Sequence, residues 1–282
     1  MPETSTTIKS GSIVSPELPI EFINTGELDI KTTYVLPVTI KSVEGIGVLQ
    51  SAKTYYYVFR GASLINVVCN ISRNRAYPDF KNDSKFNNLT ENTMEILFKA
   101  NSFPNTLNTL MGIESNYLLR IGDATIPNNQ LQVATSVNNC TSADLQLESG
   151  KWYHVAVAFN KGNVKVYING VEKLSGSTGK SSVSLGAKHT NEEDGSRCFW
   201  VGYSYKDDRY FDGVVSEVRI WNRALTAEEI QATNHFYTIE PESEGLIAYW
   251  KFDEGSGTVA KDYSVSGYDL TIEKEPKWES VS

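Results

Sequence analysis

The chain has 282 residues, 40% of them hydrophobic and including 15 Tyr and 5 Trp, which is enough for a large core, and its formal net charge is -8. An isoelectric point near 5.1 leaves no basic face for a phosphate backbone, which excludes a nucleic-acid partner and reads as an acidic, solvated surface. No run of about 18 consecutive apolar residues is present, so no helix is expected to span a membrane. The Ser/Thr-rich start contains no apolar signal region; either the protein is intracellular or the sequence begins after a removed export signal. Cys69, Cys140 and Cys198 are far apart and lack CxxC spacing, so buried thiols are expected, with one disulfide and a leftover cysteine as the alternative.

In chain order, residues 8–14 and 18–23 are short strand candidates. Residues 34–40 are a stronger one, in which Pro37 favours an edge or bulge because it has no amide donor. The run KTYYYVF at 53–59 follows a break at Gly45 and Gly47. Four strands in about 60 residues make a thin core, so residues 1–66 read as a small β-rich domain, with the junction near 61–63 and residues 64–69 able to pair with either side. Residues 67–282 form the larger domain. Its expected strands are MEILF at 94–98, then 109–112, 117–121 and 130–134.

The strongest signal is KWYHVAVAFNKGNVKVYINGVEK at 151–173. WYHVAVAF is apolar at nearly every position and needs cover on both faces. VKVYI alternates, with Val164, Val166 and Ile168 on one side and Lys165 and Tyr167 on the other. Asn169-Gly170 suits a two-residue type I′ turn. The stretch 174–188 reads as loop, 199–202 as a strand, and GVVSEVRIW at 213–221 as an alternating strand. Thr226 as N-cap and Glu229 three residues later predict a capping box and a short helix over 227–233. LIAYWKF at 246–252 and residues 268–272 are the closing strands.

Together, WYHVAV, VYING, FDG at 211–213, EVRIWNRAL at 217–225 and LIAYWKFDEGSG at 246–257 resemble a laminin-G-like domain of the concanavalin A-like lectin/glucanase superfamily, across roughly residues 80–280. The resemblance implies an all-β chain: a two-sheet antiparallel jelly-roll sandwich, with a small β-sandwich-like unit at its N-terminus. The YWKFDEGSG run usually opens such a domain. Here it follows RIWNRAL with about 30 residues left, too few for a second sandwich, so it belongs to the first. TYVLPVTI at 33–40 and YYYVFRG at 55–61 resemble a β-rich domain of surface lipoproteins in Bacteroides-like bacteria. That likeness implies an exported, cell-surface, outer membrane-attached protein. Such proteins carry a lipid-anchored cysteine near the native N-terminus, which a trimmed sequence would lack.

Catalysis finds little footing. Glycosidases need two facing carboxylates, and related glucanases resemble one another in an ExDxxE strand that this chain lacks. Glu192-Glu193-Asp194 and Asp253-Glu254 lie in polar or Gly-flanked stretches. His154 reads as a satisfied, partly buried strand histidine, and no GxSxG or HExxH occurs. The expectation is therefore a non-catalytic carbohydrate-binding module, with a structural or protein-interaction module of the envelope as the alternative and a divergent glycoside hydrolase as the third reading.

Sugars are held by aromatic faces and convergent polar groups. RCFWVGYSYKDDRYF at 197–211 supplies Tyr203, Tyr205, Asp207, Arg209 and Tyr210 as candidate ligand residues, while Trp200 and Phe211 are expected in the core. Packing of a hairpin is the other use of Tyr203 and Tyr210. Many laminin-G-like domains bind calcium, which implies Asp123, Asp207 and Asp208 as candidate metal ligands. Arg219 and Arg223 are expected to lace the sheet surface to acids such as Glu217. The partner is a glycan or polysaccharide, or another envelope protein, with membrane contact only through a lipid anchor.

Overall fold

The computed structural model describes residues 5–20, 28, 32–60, 65–189 and 197–281. The chain divides into two compact units, Met1–Leu64 and Ile65–Ser282. In the first, β1 (Thr33–Thr39) and β2 (Thr54–Arg60) form a two-stranded antiparallel sheet in which Pro37 sits opposite Tyr56. Ile40 donates its amide to Lys53 across the ribbon, so by alternation position 37 turns its nitrogen outward, and the missing proline amide costs no ladder bond,. Of the four expected strands these two are present. Residues 8–14 and 18–20 are not strands, and 21–23 and the junction at 61–63 lie outside the described residues. None of the described residues of this unit is buried, so its apolar side chains are too few to close a core.

The second unit is an all-β sandwich of two antiparallel sheets. One sheet takes the order β11-β10-β9-β5-β13-β3-β17, with β14 also pairing β13, and is built from β3 (Val67–Asn70), β5 (Glu91–Ala100), β9 (Trp152–Asn160), β10 (Asn163–Ile168), β11 (Val171–Ser177), β13 (Gly213–Trp221), β14 (Leu246–Trp250) and β17 (Lys277–Ser280). The other takes the order β15-β16-β4-β12-β6-β7-β8, from β4 (Ala76–Tyr77), β6 (Asn108–Ile113), β7 (Tyr117–Asp123), β8 (Ile126–Thr135), β12 (Trp200–Val201), β15 (Val259–Ala260) and β16 (Leu270–Ile272). Of the stretch 64–69, residues 67–69 pair inside the sandwich, through β3 against β13 and β17, and residue 64 lies outside the described residues. The late LIAYWKF run is β14, paired with β13 inside the same sheet.

The meander at β9, β10 and β11 follows its sequence pattern. Asn169 and Gly170 have φ of 49° and 77°, as a type I′ turn demands, and the Asn169 side chain accepts from the His154 amide at 2.8 Å. Val164, Val166 and Ile168 enter the core between the sheets. Tyr167 points to the other face, yet is only 2% exposed, because a second layer covers it. β11 runs to Ser177, where loop was expected. Its exposed residues give it little apolar signal, and only pairing with β10 makes it a strand.

That second layer is the connection 222–245, which lies on the outer face of the first sheet. Leu225, Ile230, Phe236 and Ile239 pack there against Ala156, Ala158, Tyr167, Trp221, Leu246 and Tyr249. It explains why β13 is buried at every position instead of on one face. A bulge at Glu217 (φ 49°) shifts the register between Ser216 and Arg219. It rephases the strand so that Val215 and Val218 both enter the core, three residues apart, where simple alternation would separate them. α1 (Ala227–Ile230) carries both bonds of the predicted capping box, though the helix ends earlier than 233. Thr226→Ala should lower stability by about 1 kcal/mol, read as a lower melting temperature, and Thr226→Ser should restore it. An unchanged melting temperature in the alanine variant would show that the layer's apolar contacts alone hold it.

All three cysteines are buried and outside any disulfide. No helix among the described residues is long and apolar enough to cross a membrane.

Candidate functional site

On β12 the alternation of a strand splits the aromatic run. Phe199 and Val201 enter the inter-sheet core, while Trp200 faces the opposite side with Cys198, Tyr203, Tyr77 and Tyr210. Phe211 is in the core and Trp200 is 4% exposed. Tyr203, 3% exposed, packs edge-on against Trp200 at 5.1 Å and tilts against Tyr210 at 5.0 Å. The Arg75 guanidinium lies 4.5 Å from the Tyr203 ring and 5.0 Å from Trp200. Two bonds to Glu273, at 2.7 and 2.5 Å, fix that guanidinium. Tyr203 is therefore a packing residue of the outer sheet face.

The remaining predicted ligand residues come together at the single helical turn Asp207–Arg209. Tyr205, half-buried, has three cations around its ring: Arg209 at 4.9 Å, Arg197 at 5.1 Å and Lys206 at 5.2 Å. Arg209 pairs with Glu114 at 3.0 Å. Glu114 also faces Arg120 at 4.0 Å, and Arg120 binds Asp123 at 2.6 Å and Gln132 at 2.8 and 2.5 Å. A continuous polar chain therefore runs from Asp123 on β7 to Tyr205 on the loop. Burial raises the Tyr210 hydroxyl to about 12, with Asp207 adding to the effect against the lowering charge of Arg75, so this ring stays neutral at physiological pH.

The three aspartates expected to hold calcium are not gathered. Asp123 is committed to Arg120 and to the amide of Ala124, and Asp208 lies 3.9 Å from Arg209. Asp207 and Asp208 are exposed neighbours on one turn. Calcium requires about six to eight oxygen ligands, and Asp123, neutralised by the Arg120 guanidinium at 2.6 Å, does not fit that set.

A different group has converging ligand atoms. Among the described residues, Glu95, His154 and His235 bring one donor atom each within 4.8 Å of one another, all buried, in an arrangement able to coordinate a divalent ion. Two imidazoles and one carboxylate suit a first-row transition ion and not calcium. Glu95 Oε1 is 2.6 Å from His235 Nε2 and 3.3 Å from His154 Nε2. Its other oxygen accepts from Trp221 Nε1 at 2.7 Å and faces Arg219 at 3.7 Å. Burial would raise the Glu95 carboxyl, but the two imidazoles and the Arg219 charge hold it well below its ordinary value. Burial lowers His154 against the pull of Glu95.

This cluster corrects two expectations. His154 is fully buried, and its Nδ1 has no hydrogen-bond partner among the described residues. Arg219 does not lace the surface: it is fully buried, bonded to Glu217 and to the His235 carbonyl at 2.7 Å, with its guanidinium 5.2 Å from the Tyr249 ring. Arg223 does pair at the surface, with Glu229 at 2.7 Å. Glu95 and His235 escaped the sequence reading. The available signal was a carboxylate inside the apolar run MEILF, which in a strand covered on both faces must find buried partners. Likewise Arg120 interrupts the apolar strand YLLRIGD.

Two antiparallel sheets in a sandwich, with the polar and aromatic groups on the outer face of one of them, define the class as lectin-like β-sandwich. A family model of the concanavalin A-like lectin/glucanases superfamily matches residues 74–231, more than half of the chain, and the chain belongs to that family. A second model, of an N-terminal domain, matches residues 1–47. That match lies ahead of the sandwich in the chain.

The chain is similar to a solved structure of a presumed carbohydrate-binding protein from Bacteroides ovatus, with 27% identity and a TM-score of 0.70, covering 90% of this chain and 71% of that one. Weaker likenesses are to domain 4 of an extracellular arabinanase from Geobacillus stearothermophilus (20% identity, 74% and 89% covered, TM-score 0.45) and to a heptameric pentraxin from Limulus polyphemus (14% identity, 60% and 82% covered, TM-score 0.42). No curated protein matches.

Proposed function

We propose that this chain is a non-catalytic carbohydrate-binding module of an exported bacterial cell-surface protein, held at the outer membrane by a lipid anchor. Its ligand would sit over the turn carrying Tyr205, Asp207, Arg209 and Tyr210, with Tyr203 supporting it from beneath. The observation that carries this is the meeting, on one exposed turn, of a half-buried tyrosine, paired cationic and acidic side chains and a buried polar chain that immobilises Arg209. A rigid sandwich presenting such a loop is how binding sites are commonly built. The likeness over 90% of the chain to a presumed carbohydrate-binding protein supports the same reading. Calcium enters the proposal only at Asp207 and Asp208.

The test is binding of the purified chain to a broad glycan panel, in calcium and again with a chelator. Tyr205→Ala and Asp207→Ala should each weaken binding about tenfold, the loss of roughly one hydrogen bond or ring contact. A hit that survives both changes would move the site elsewhere on the sandwich. A folded chain that binds nothing on the panel would overturn the reading. Chelation should abolish binding only where the Asp207–Asp208 turn holds calcium.

A second reading has its own observation. On the N-terminal ribbon Tyr55, Tyr56, Tyr57 and Val58 are 62, 67, 50 and 66% exposed, which suits a protein partner in the envelope. Pull-down by the whole chain, lost on Tyr56→Ser with glycan binding intact, would place that role on the ribbon.

A further inference from the structure

Resting on the carbohydrate-binding reading, the side chains of this turn narrow the class of sugar. Neutral sugars are gripped mainly by stacking their C–H faces on a bare ring. The rings here are not bare. Trp200 and Tyr203 are 4% and 3% exposed, and Arg75 stands over both. Tyr205, the outermost, is ringed by Arg197, Lys206 and Arg209 at 4.9–5.2 Å. Around that ring the surface presents the exposed cations Arg197 and Lys206, with the carboxylates of Asp207 and Asp208 beside them on the turn.

The cations differ in how far they are committed. Arg75 is spent on Glu273, Arg120 on Asp123 and Arg209 on Glu114. Arg197 and Lys206 are exposed and pair with no carboxylate within 4.0 Å among the described residues. The one backbone contact of Arg197 is with the Glu114 carbonyl, at 3.5 Å. A guanidinium keeps five donors in a fixed fork that matches a carboxylate or sulfate. Among the described residues, Arg197 therefore stands beside the ring with most of its donors without a partner. On the same turn, the exposed carboxylates of Asp207 and Asp208 offer acceptors for sugar hydroxyls.

We infer that the turn recognises anionic sugars, carboxylated or sulfated, through Arg197 and Lys206, with Arg209 held in place by Glu114 as the fixed third cation. Because the protein carries a net charge of -8, selectivity arises at contact range and not from long-range attraction. Tyr205 serves as the apolar floor that orients these cations.

The test compares matched polymers on the intact chain: polygalacturonate against its fully methyl-esterified form, chondroitin sulfate against desulfated chondroitin, and a neutral galactan. Polygalacturonate over its ester, or chondroitin sulfate over desulfated chondroitin, which keeps its glucuronate carboxylates, should bind about tenfold tighter or better, the value of one charge-assisted hydrogen bond. Arg197→Gln and Lys206→Gln should each remove most of that preference while leaving the melting temperature unchanged, and added salt should weaken binding. Preference in the first pair alone identifies carboxylate as the ligand group. Preference for chondroitin sulfate over its desulfated form identifies sulfate. Equal binding of charged and neutral members, insensitive to both substitutions, overturns the anionic inference and leaves the carbohydrate reading standing. Binding to none of the polymers, nor to the wider panel, overturns the carbohydrate reading itself.

Discussion

Arg219→Ala is expected to cost the sandwich about 3–5 kcal/mol, the loss seen when one partner of a buried ion pair is removed. Arg219 is fully buried on β13 and lies between two acids, Glu217 and Glu95, both 3% exposed or less. It also donates to the His235 carbonyl at 2.7 Å, tying the covering layer to the sheet. Alanine would leave Glu217 and Glu95 buried without the guanidinium that each of them faces. Burial already pushes Glu217 upward even with the guanidinium present, so proton uptake by that acid would follow. The measurement is the denaturant midpoint, which should fall sharply with the slope unchanged. The triple variant Arg219→Met, Glu95→Gln, Glu217→Gln should recover much of the loss, because removing all the charges also removes their desolvation cost. A single-variant loss below about 1 kcal/mol would mean that water reaches the cluster and screens it.

Trp250→Ala should cost about as much, roughly 3–5 kcal/mol, through transfer and cavity terms together. Trp250 is fully buried between the sheets, near Phe80 at 6.3 Å and Phe199 at 6.1 Å, and donates from Nε1 to the Tyr268 carbonyl at 2.8 Å. Its strand, β14, ends on the Tyr249-Trp250 of the YWKF motif, a run assigned to this domain because too few residues follow it for a second sandwich. Pairing with β13 settles that point, and it makes the substitution act on the unfolding of the whole sandwich. Val259→Ala, at a residue 49% exposed on the nearby β15, should change stability by less than about 0.5 kcal/mol. A partial transition confined to the C-terminal residues in Trp250→Ala would contradict a single cooperative core.

Strand-forming runs with period two, the Asn169-Gly170 turn and the Thr226–Glu229 capping box were legible in the sequence because each is set by local backbone preference and side-chain alternation. They sufficed for two antiparallel sheets and, with the WYHVAV and EVRIWNRAL motifs, for the family. Short strands such as β4, β12 and β17 were less legible, since two to four residues carry too little pattern and exist only through their neighbours. Of the proposed ligand residues, composition alone singled out Tyr205, Asp207, Arg209 and Tyr210. It could not separate them from Tyr203, because exposure on a loop depends on what the next loop covers. Neither could it find Arg120, Glu114 and Arg75, which lie 75 or more residues from the turn they support,.

What the sequence by itself determined was the kind of layer each segment could form: which residues must be hidden, where the chain must turn, and that the whole is acidic and all-β. Tertiary structure alone decided which polar residues were hidden with them. Glu95, His154, His235 and Arg219 sit on four separate segments, and the local sequence around each does not say which partners it finds. Their burial follows from residues 222–245 folding back over the sheet, and a buried charge must then find its partners across long stretches of chain.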